Sequence, residues 1–262
     1  MHVRGDGVLL ARDGAIATVT LNKPERHNAL DRSMWVRLGG IFGELDRDES
    51  LRCVVLRGAG DKAFAAGADI SEFANERANA AQAKRYGEDV AAALRSLAEC
   101  RHPTVALIQG ACVGGGLLVA SQCDLRICNE SARFGVPVKN LGLTEAYDEL
   151  QGMMRVIGSA ASLEILLEGR IWGAREAYEK GLVCRIAPDA GVVEEAYATA
   201  RRIADGAPLV ARWHKKFVRR LADPSPLTAS EHDESFTCFD TEDFRIGYQA
   251  FLDKKKPEFK GR

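Results

Sequence analysis

Residues 104–123 form a run of twenty positions without one charged side chain. That matches the roughly 20 residues needed to cross a bilayer as a helix. The composition of the run argues for a protein core instead. Gly110, Gly114, Gly115 and Gly116 interrupt it, Gln109, Ser121 and Gln122 are polar, and His102-Pro103 and Asp124 bound it. We read it as a buried strand over Thr104 to Ile108, a glycine-rich junction, and a short helix over Leu117 to Cys123. No membrane partner is expected.

The flanking sequence repeats this alternation. Ala15 to Leu21 is a β-branched run ending in the turn Asn22-Lys23-Pro24, and Cys53 to Leu56 is a short apolar run before Gly58 to Asp61. Asp31 is placed to cap a helix whose apolar residues Met34, Trp35, Leu38, Ile41, Phe42 and Leu45 recur near every 3.6 positions. Ala81 to Cys100 reads as a helix and Leu125 to Cys128 as a strand. Alternating strands and helices predict an α/β core with mainly parallel pairing. Beyond about Glu145 the strand signal nearly vanishes. Ser159 to Glu168, Ala174 to Lys180, Val192 to Ala204, Leu209 to Leu221 and Glu242 to Phe251 have helical character. No low-complexity linker or internal repeat stands out.

Composition removes several functional classes. The 262 residues, at a prior of roughly 150 per domain, suggest one large domain with or without an appendage. With 36 Lys plus Arg against 37 Asp plus Glu, nothing drives the chain globally toward nucleic acid. The opening Met1-His2-Val3-Arg4-Gly5-Asp6 is followed by no apolar stretch of signal length, so secretion is not expected. Seven scattered Cys without a CxxC pair fit a reducing cytoplasm, and five dispersed His give no metal-ligand spacing.

Two segments carry candidate chemistry. Lys62 to Ile70 is built of small residues around Gly67, and Gly110 to Leu117 sets glycines between a strand and a helix. Free amides at a helix start can donate to an anionic oxygen, although the same glycines also serve close packing or tight turns. No Gly-Lys-Ser/Thr, GxGxxG or Gly-x-Ser-x-Gly pattern is present, which disfavours a P-loop, a dinucleotide site and a nucleophile elbow.

Together these segments resemble the crotonase superfamily (enoyl-CoA hydratase/isomerase) over nearly the whole chain. The resemblance takes in Leu21 to Leu30 (LNKPERHNAL), Ala66-Gly67-Ala68-Asp69-Ile70, Gly114-Gly115-Gly116, Cys123-Asp124, Phe134-Gly135-Val136-Pro137, Asn140-Leu141-Gly142, Gly181-Leu182-Val183, Glu242-Asp243-Phe244 and Pro257 to Arg262. It implies an α/β spiral of ββα turns over residues 1–200 and a helical C-terminal region, 201–262, that makes trimer contacts, with trimers pairing into hexamers. It implies an acyl-CoA thioester as ligand, with no cofactor beyond that CoA and no metal. The amides of Ala68 and Gly115 would form the oxyanion hole. Ala65, Ala66, Asp69 and Ile70 map onto the strip that contacts CoA. Lys23 and Arg26 stand where basic residues approach its phosphates, and Lys256 and Lys260 of the basic tail are further candidates.

Two departures bear on the reaction. The hydratase glutamates map onto Leu118 and Val138, which can neither activate water nor protonate carbon. The following loop, Leu143 to Leu150, brings in Glu145, Tyr147, Asp148 and Glu149. Related isomerases and dehalogenases place a working acid there, at the position of Ala146. Glu145 is then the candidate general base, shifted by one, and Tyr147 a candidate acid or donor. The structural alternative is a helix start capped by Thr144 with Glu145 and Asp148 in its first turn. The expectation is enolate chemistry on an acyl-CoA (isomerisation, decarboxylation or C–C cleavage rather than ordinary hydration). The alternatives are a non-catalytic acyl-CoA binding protein and a hydratase using Glu145 or Glu149.

Overall fold

The computed structural model describes residues 7–262, so the expectations resting on Met1 to Asp6, His2 included, lie outside the described residues. Ten strands are present among these: β1 (Val8–Asp13), β2 (Ile16–Leu21), β3 (Cys53–Gly58), β4 (Ala63–Ala65), β5 (Thr104–Ile108), β6 (Ala111–Val113), β7 (Leu125–Asn129), β8 (Arg133–Gly135), β9 (Trp172–Gly173) and β10 (Arg185–Ala187). They form a six-stranded sheet in the order β1-β2-β3-β5-β7-β10 and a four-stranded sheet in the order β4-β6-β8-β9. Only the β1–β2 and β8–β9 pairs are antiparallel.

The helices of the first half are α1 (Arg32–Asp46), α2 (Phe73–Glu76), α3 (Ala80–Glu99) and α4 (Gly115–Gln122). Those of the second half are α5 (Tyr147–Glu168), α6 (Ala174–Glu179), α7 (Val192–Ala204), α8 (Pro208–Arg220), α9 (Ala229–Glu234) and α10 (Glu242–Leu252). The chain passes β3 to β4 to α2 and α3, then β5 to β6 to α4, then β7 to β8 to α5. Each pass adds one strand to each sheet before a helix returns the chain. This is the spiral of ββα turns, and it is also an internal repeat that the sequence did not display.

The uncharged run resolves into β5, β6 and α4. It is hidden because the large sheet is covered on both faces, the usual setting of parallel strands. Alternate residues point opposite ways. Val54, Leu56, Ala106 and Ile108 face the main core with α1 and α3, while Cys53, Val55, Val105 and Leu107 join Val192, Ala196 and Ala200 of α7 in a second core. The expected boundary at residue 200 therefore falls inside a helix that packs on the sheet. Helix α5 begins at Tyr147, and the helix expected over Ser159 to Glu168 is its second segment. It is long and apolar enough to cross a membrane, but Gly158, at φ 70° and ψ 177°, breaks it into two segments.

Candidate active site

The site is built where the two small-residue segments meet. Asp31 caps α1 as expected, its carboxylate accepting from the Met34 amide at 2.8 Å. Just before it, Asn28 is fully buried with left-handed φ of 56°. Its Nδ2 donates to the carbonyls of Ala63 at 2.8 Å and Ala59 at 3.1 Å, and its Oδ1 accepts from the Lys23 amide at 3.0 Å. Asn28 thus ties the Lys23–Asn28 loop to β4. Leu30 then brackets the next segment: its amide donates to Gly67 O at 2.7 Å and its carbonyl accepts from Asp69 N at 2.8 Å.

Between these two bonds lies the Ala68 amide, which has no acceptor among the described residues. The Gly115 amide, at the first turn of α4, likewise has none. The two donors are neighbours: a Cβ placed on Gly115 would lie 3.7 Å from Ala68 N and 3.1 Å from Trp35 Cζ2. Gly67 at φ 103° and Gly114 at φ 51° supply the backbone turns next to these amides, turns that L-residues rarely adopt. Two neighbouring donors without acceptors, one of them at a helix start, are an arrangement that can hold an anionic oxygen.

Both amides border a cavity of about 260 Å³. Its walls are largely apolar and include Phe73, Val90, Leu118, Val138, Leu141 and Leu143. The positions where the resemblance puts hydratase carboxylates are therefore hydrocarbon in place as well as in sequence. Trp35 and Tyr86 close one side, the indole donating to the Tyr86 hydroxyl at 3.1 Å. Burial pushes that phenol up to about 12, so it stays protonated.

The carboxyl groups of the cavity are Glu145 and Glu149. Glu149 accepts from the Ala146 amide at 2.5 Å, so it, not Thr144, caps the start of α5. Glu145 lies against it, with a hydrogen bond between the two side chains. Burial first, then the Glu149 charge and this bond, push Glu145 up to about 8, far above the 4.5 of a free carboxyl, and the nearby Arg77 opposes part of the shift. Tyr147, expected beside Glu145, is 95% exposed and outside the cavity lining, because the first turn of α5 points it away.

The CoA candidates divide into three groups. Ala66 and Ile70 line the cavity that holds the Ala68 and Gly115 amides, while Ala65 is buried in β4 behind it. Lys23, Arg26 and Asp69 border a separate cavity of about 700 Å³. There Lys23 pairs with Asp31, and Arg26 lies 3.5 Å from Asp69. The Asp69 carboxylate also accepts from the Ser71 hydroxyl at 2.6 Å and amide at 3.1 Å, which caps the turn after it. Lys256 and Lys260 border neither cavity. Lys256 pairs with Asp205 at 2.9 Å and the Lys260 amide donates to Asp243 at 2.6 Å, so the tail is tied down along α7 and α10. Sequence reasoning missed Arg77 and the pairing of Glu149 with Glu145. It also left Asn28 as an unassigned letter of a motif. An Asn beside His27 in a turn was a usable signal, since Asn tolerates left-handed backbone.

Similar proteins place the fold in a family. Residues 11–262 match the sequence profile of the enoyl-CoA hydratase/isomerase family. A short-chain-enoyl-CoA hydratase of Clostridium acetobutylicum is 32% identical over 98% of this chain and 99% of its own. The crystal structure of an enoyl-CoA hydratase/carnithine racemase from Magnetospirillum magneticum superposes with a TM-score of 0.97 at 50% identity, covering 98% of this chain and 96% of that one. An enoyl-CoA hydratase/isomerase family protein from Hyphomonas neptunium gives 0.93 at 36% identity, covering 98% of each. With its spiral of ββα turns and its paired free amides, the chain belongs to the enoyl-CoA hydratase/isomerase family of the crotonase superfamily.

Proposed function

We propose that this enzyme moves a proton at the carbon next to the carbonyl of an acyl-CoA thioester, with Glu145 as the base, and that its reaction is double-bond isomerisation. The observation that carries the reading is the position of Glu145 in one cavity with the free amides of Ala68 and Gly115. A base with a pKa of about 8 is stronger than an ordinary carboxylate, and its ionised form is still present near neutrality. In a 3-enoyl ester, Glu145 takes a proton from C2. The electron pair delocalises onto the thioester oxygen, where the two amides hold the charge. The same carboxyl returns a proton to C4, leaving the double bond between C2 and C3. No water enters, which suits the apolar Leu118 and Val138. The test is chromatography with mass spectrometry on a panel of 2-enoyl, 3-enoyl, malonyl-type and 3-oxoacyl CoA esters. Isomerisation gives a new retention time at constant mass. Loss of carbon dioxide or chain cleavage would redirect the reading within enolate chemistry. Binding without any product would favour a silent acyl-CoA binding protein.

A second reading, hydration by a displaced pair, is favoured by the hydrogen bond between Glu145 and Glu149 and by relatives that bear hydratase names. It requires protonated Glu145 as the acid, and it yields a gain of water by crotonyl-CoA.

We further propose that the CoA phosphates approach the Lys23 and Arg26 cavity and that the chain assembles as a trimer or hexamer in a reducing cytoplasm. Exposed apolar residues on the C-terminal helices, with Val218 at 71% and Phe251 at 83%, support self-association.

A further inference from the structure

The catalytic cavity contains one cation among the described residues, Arg77, and the proposed isomerisation does not use it. Its setting is unusual for a surface arginine. The guanidinium carbon lies 4.5 Å from the centroid of the Tyr86 ring and 5.0 Å from that of Phe73. Contacts of this kind hold the planar group in one place at low cost. Yet no ion pair or side-chain hydrogen bond reaches it among the described residues. The carboxylates nearest along the chain are engaged elsewhere. Glu76 accepts from Arg32 Nη1 at 3.0 Å, and Glu72 accepts from the Arg32 amide at 2.9 Å. Of the acidic groups of the cavity, Glu149 accepts from the Ala146 amide, and Glu145 lies near enough to feel the Arg77 charge but makes no ion pair or hydrogen bond with it among the described residues.

A half-buried guanidinium with five unused donors, fixed against two rings on an otherwise greasy wall, suits the planar bidentate geometry of a carboxylate. A purely hydrocarbon acyl chain would leave those donors desolvated and unpaired, which is costly. We infer that Arg77 binds a carboxylate carried by the acyl group, so that the enzyme's substrates are CoA monothioesters of dicarboxylic acids. This rests on the acyl-CoA reading above and narrows it to one substrate class.

The test uses saturated esters, which cannot undergo the proposed isomerisation. Calorimetric titration compares succinyl-, glutaryl- and adipyl-CoA with butyryl-, pentanoyl- and hexanoyl-CoA, the uncharged partners of equal chain length. The wild-type enzyme is expected to bind the acid at least tenfold tighter at one length or more. Arg77→Met should reduce that preference to twofold or less and leave the uncharged ester's affinity unchanged. Arg77→Lys should keep part of it. Absence of a preference at every length in the wild type, or a preference that survives in Arg77→Met, overturns the inference while the acyl-CoA reading stands. Failure of every ester to bind overturns both.

Discussion

In the proposed reaction Glu145 is the residue on which the chemistry turns, and its electrostatics make two separate predictions. As a base that must be ionised, it gives a kcat/KM for isomerisation that rises with pH through about 8 and then levels, a limb absent from Glu145→Gln. If hydration through protonated Glu145 were the reaction, the same limb would fall. Glu145→Gln should lower turnover by about 10²–10⁴-fold, the usual contribution of a positioned acid or base. The second prediction concerns stability. A carboxyl whose folded pKa is raised destabilises the fold progressively as pH climbs from about 4.5 toward 8, where the loss is complete. Glu145→Gln removes that loss, so the variant should melt above the wild type at pH 9 and match it near pH 4, by thermal denaturation. What was legible here was uneven. Glu145 showed itself as one of three acids in the loop Leu143 to Leu150, next to the position where the resemblance puts a working acid. Ala68 and Gly115 are proposed to act through their amides, which leave no side-chain signature, so only the ordered resemblance located them. Arg77 sits in a polar stretch, Asn75-Glu76-Arg77-Ala78-Asn79, that reads as ordinary solvated loop.

At the scale of elements, the site depends on short pieces whose geometry is enforced from outside. Segment 66–69 is held by Leu30, and the loop before Leu30 is held by Asn28. Asn28→Ala would leave the Ala63 carbonyl without its side-chain donor, at a cost of about 1–3 kcal/mol. For a chain of this size, 1 kcal/mol corresponds to roughly 2–4 °C in melting temperature. The expected result is a lowered melting point together with a reduced kcat, since the strip carrying the Ala68 amide loses its register. Gly67→Ala tests the same strip more sharply. At φ 103° any side chain is strained, and its Cβ would approach Val113 O to 3.2 Å. Turnover should fall at least tenfold in steady-state kinetics, with less change in KM, because the amide's stronger partner is the developing oxyanion. Helices α1 and α3 were visible in sequence because fifteen and twenty residues display a 3.6-residue period. Strands β4, β6 and β8 were not, since three residues each are too few to show alternation. They are specified by pairing with one another, a tertiary effect.

Across the whole molecule, the buried spiral and the exposed C-terminal helices divide the work. The large sheet lies between two cores, and the β3-β4, β5-β6 and β7-β8 passes bring Ala66, Val113 and Pro137 to the wall of the cavity. Beyond α7 the chain buries little: Val218, Leu221, Phe236, Phe251 and Leu252 are all more than half exposed. A surface of that kind is expected to be covered by further copies. Light scattering on the purified protein should give a trimer or hexamer, and Phe251→Glu with Leu221→Glu should shift it toward monomer while the spiral keeps its far-ultraviolet circular dichroism. The internal ββα repeat was invisible in sequence because the passes share backbone geometry rather than residues. Their connecting helices are twenty, eight and twenty-two residues long.

The measurement that bears most directly on the proposed chemistry is the fate of a 3-enoyl-CoA ester in deuterium oxide, followed by chromatography and mass spectrometry for the wild type and Glu145→Gln. The expected result is a 2-enoyl ester with the same carbon and oxygen count, carrying solvent deuterium, formed by the wild type and at least a hundredfold more slowly by the variant. Isomerisation unchanged in Glu145→Gln, or water added to the 2-enoyl ester faster than the double bond moves, would contradict a proton transfer carried by Glu145 beside the Ala68 and Gly115 amides.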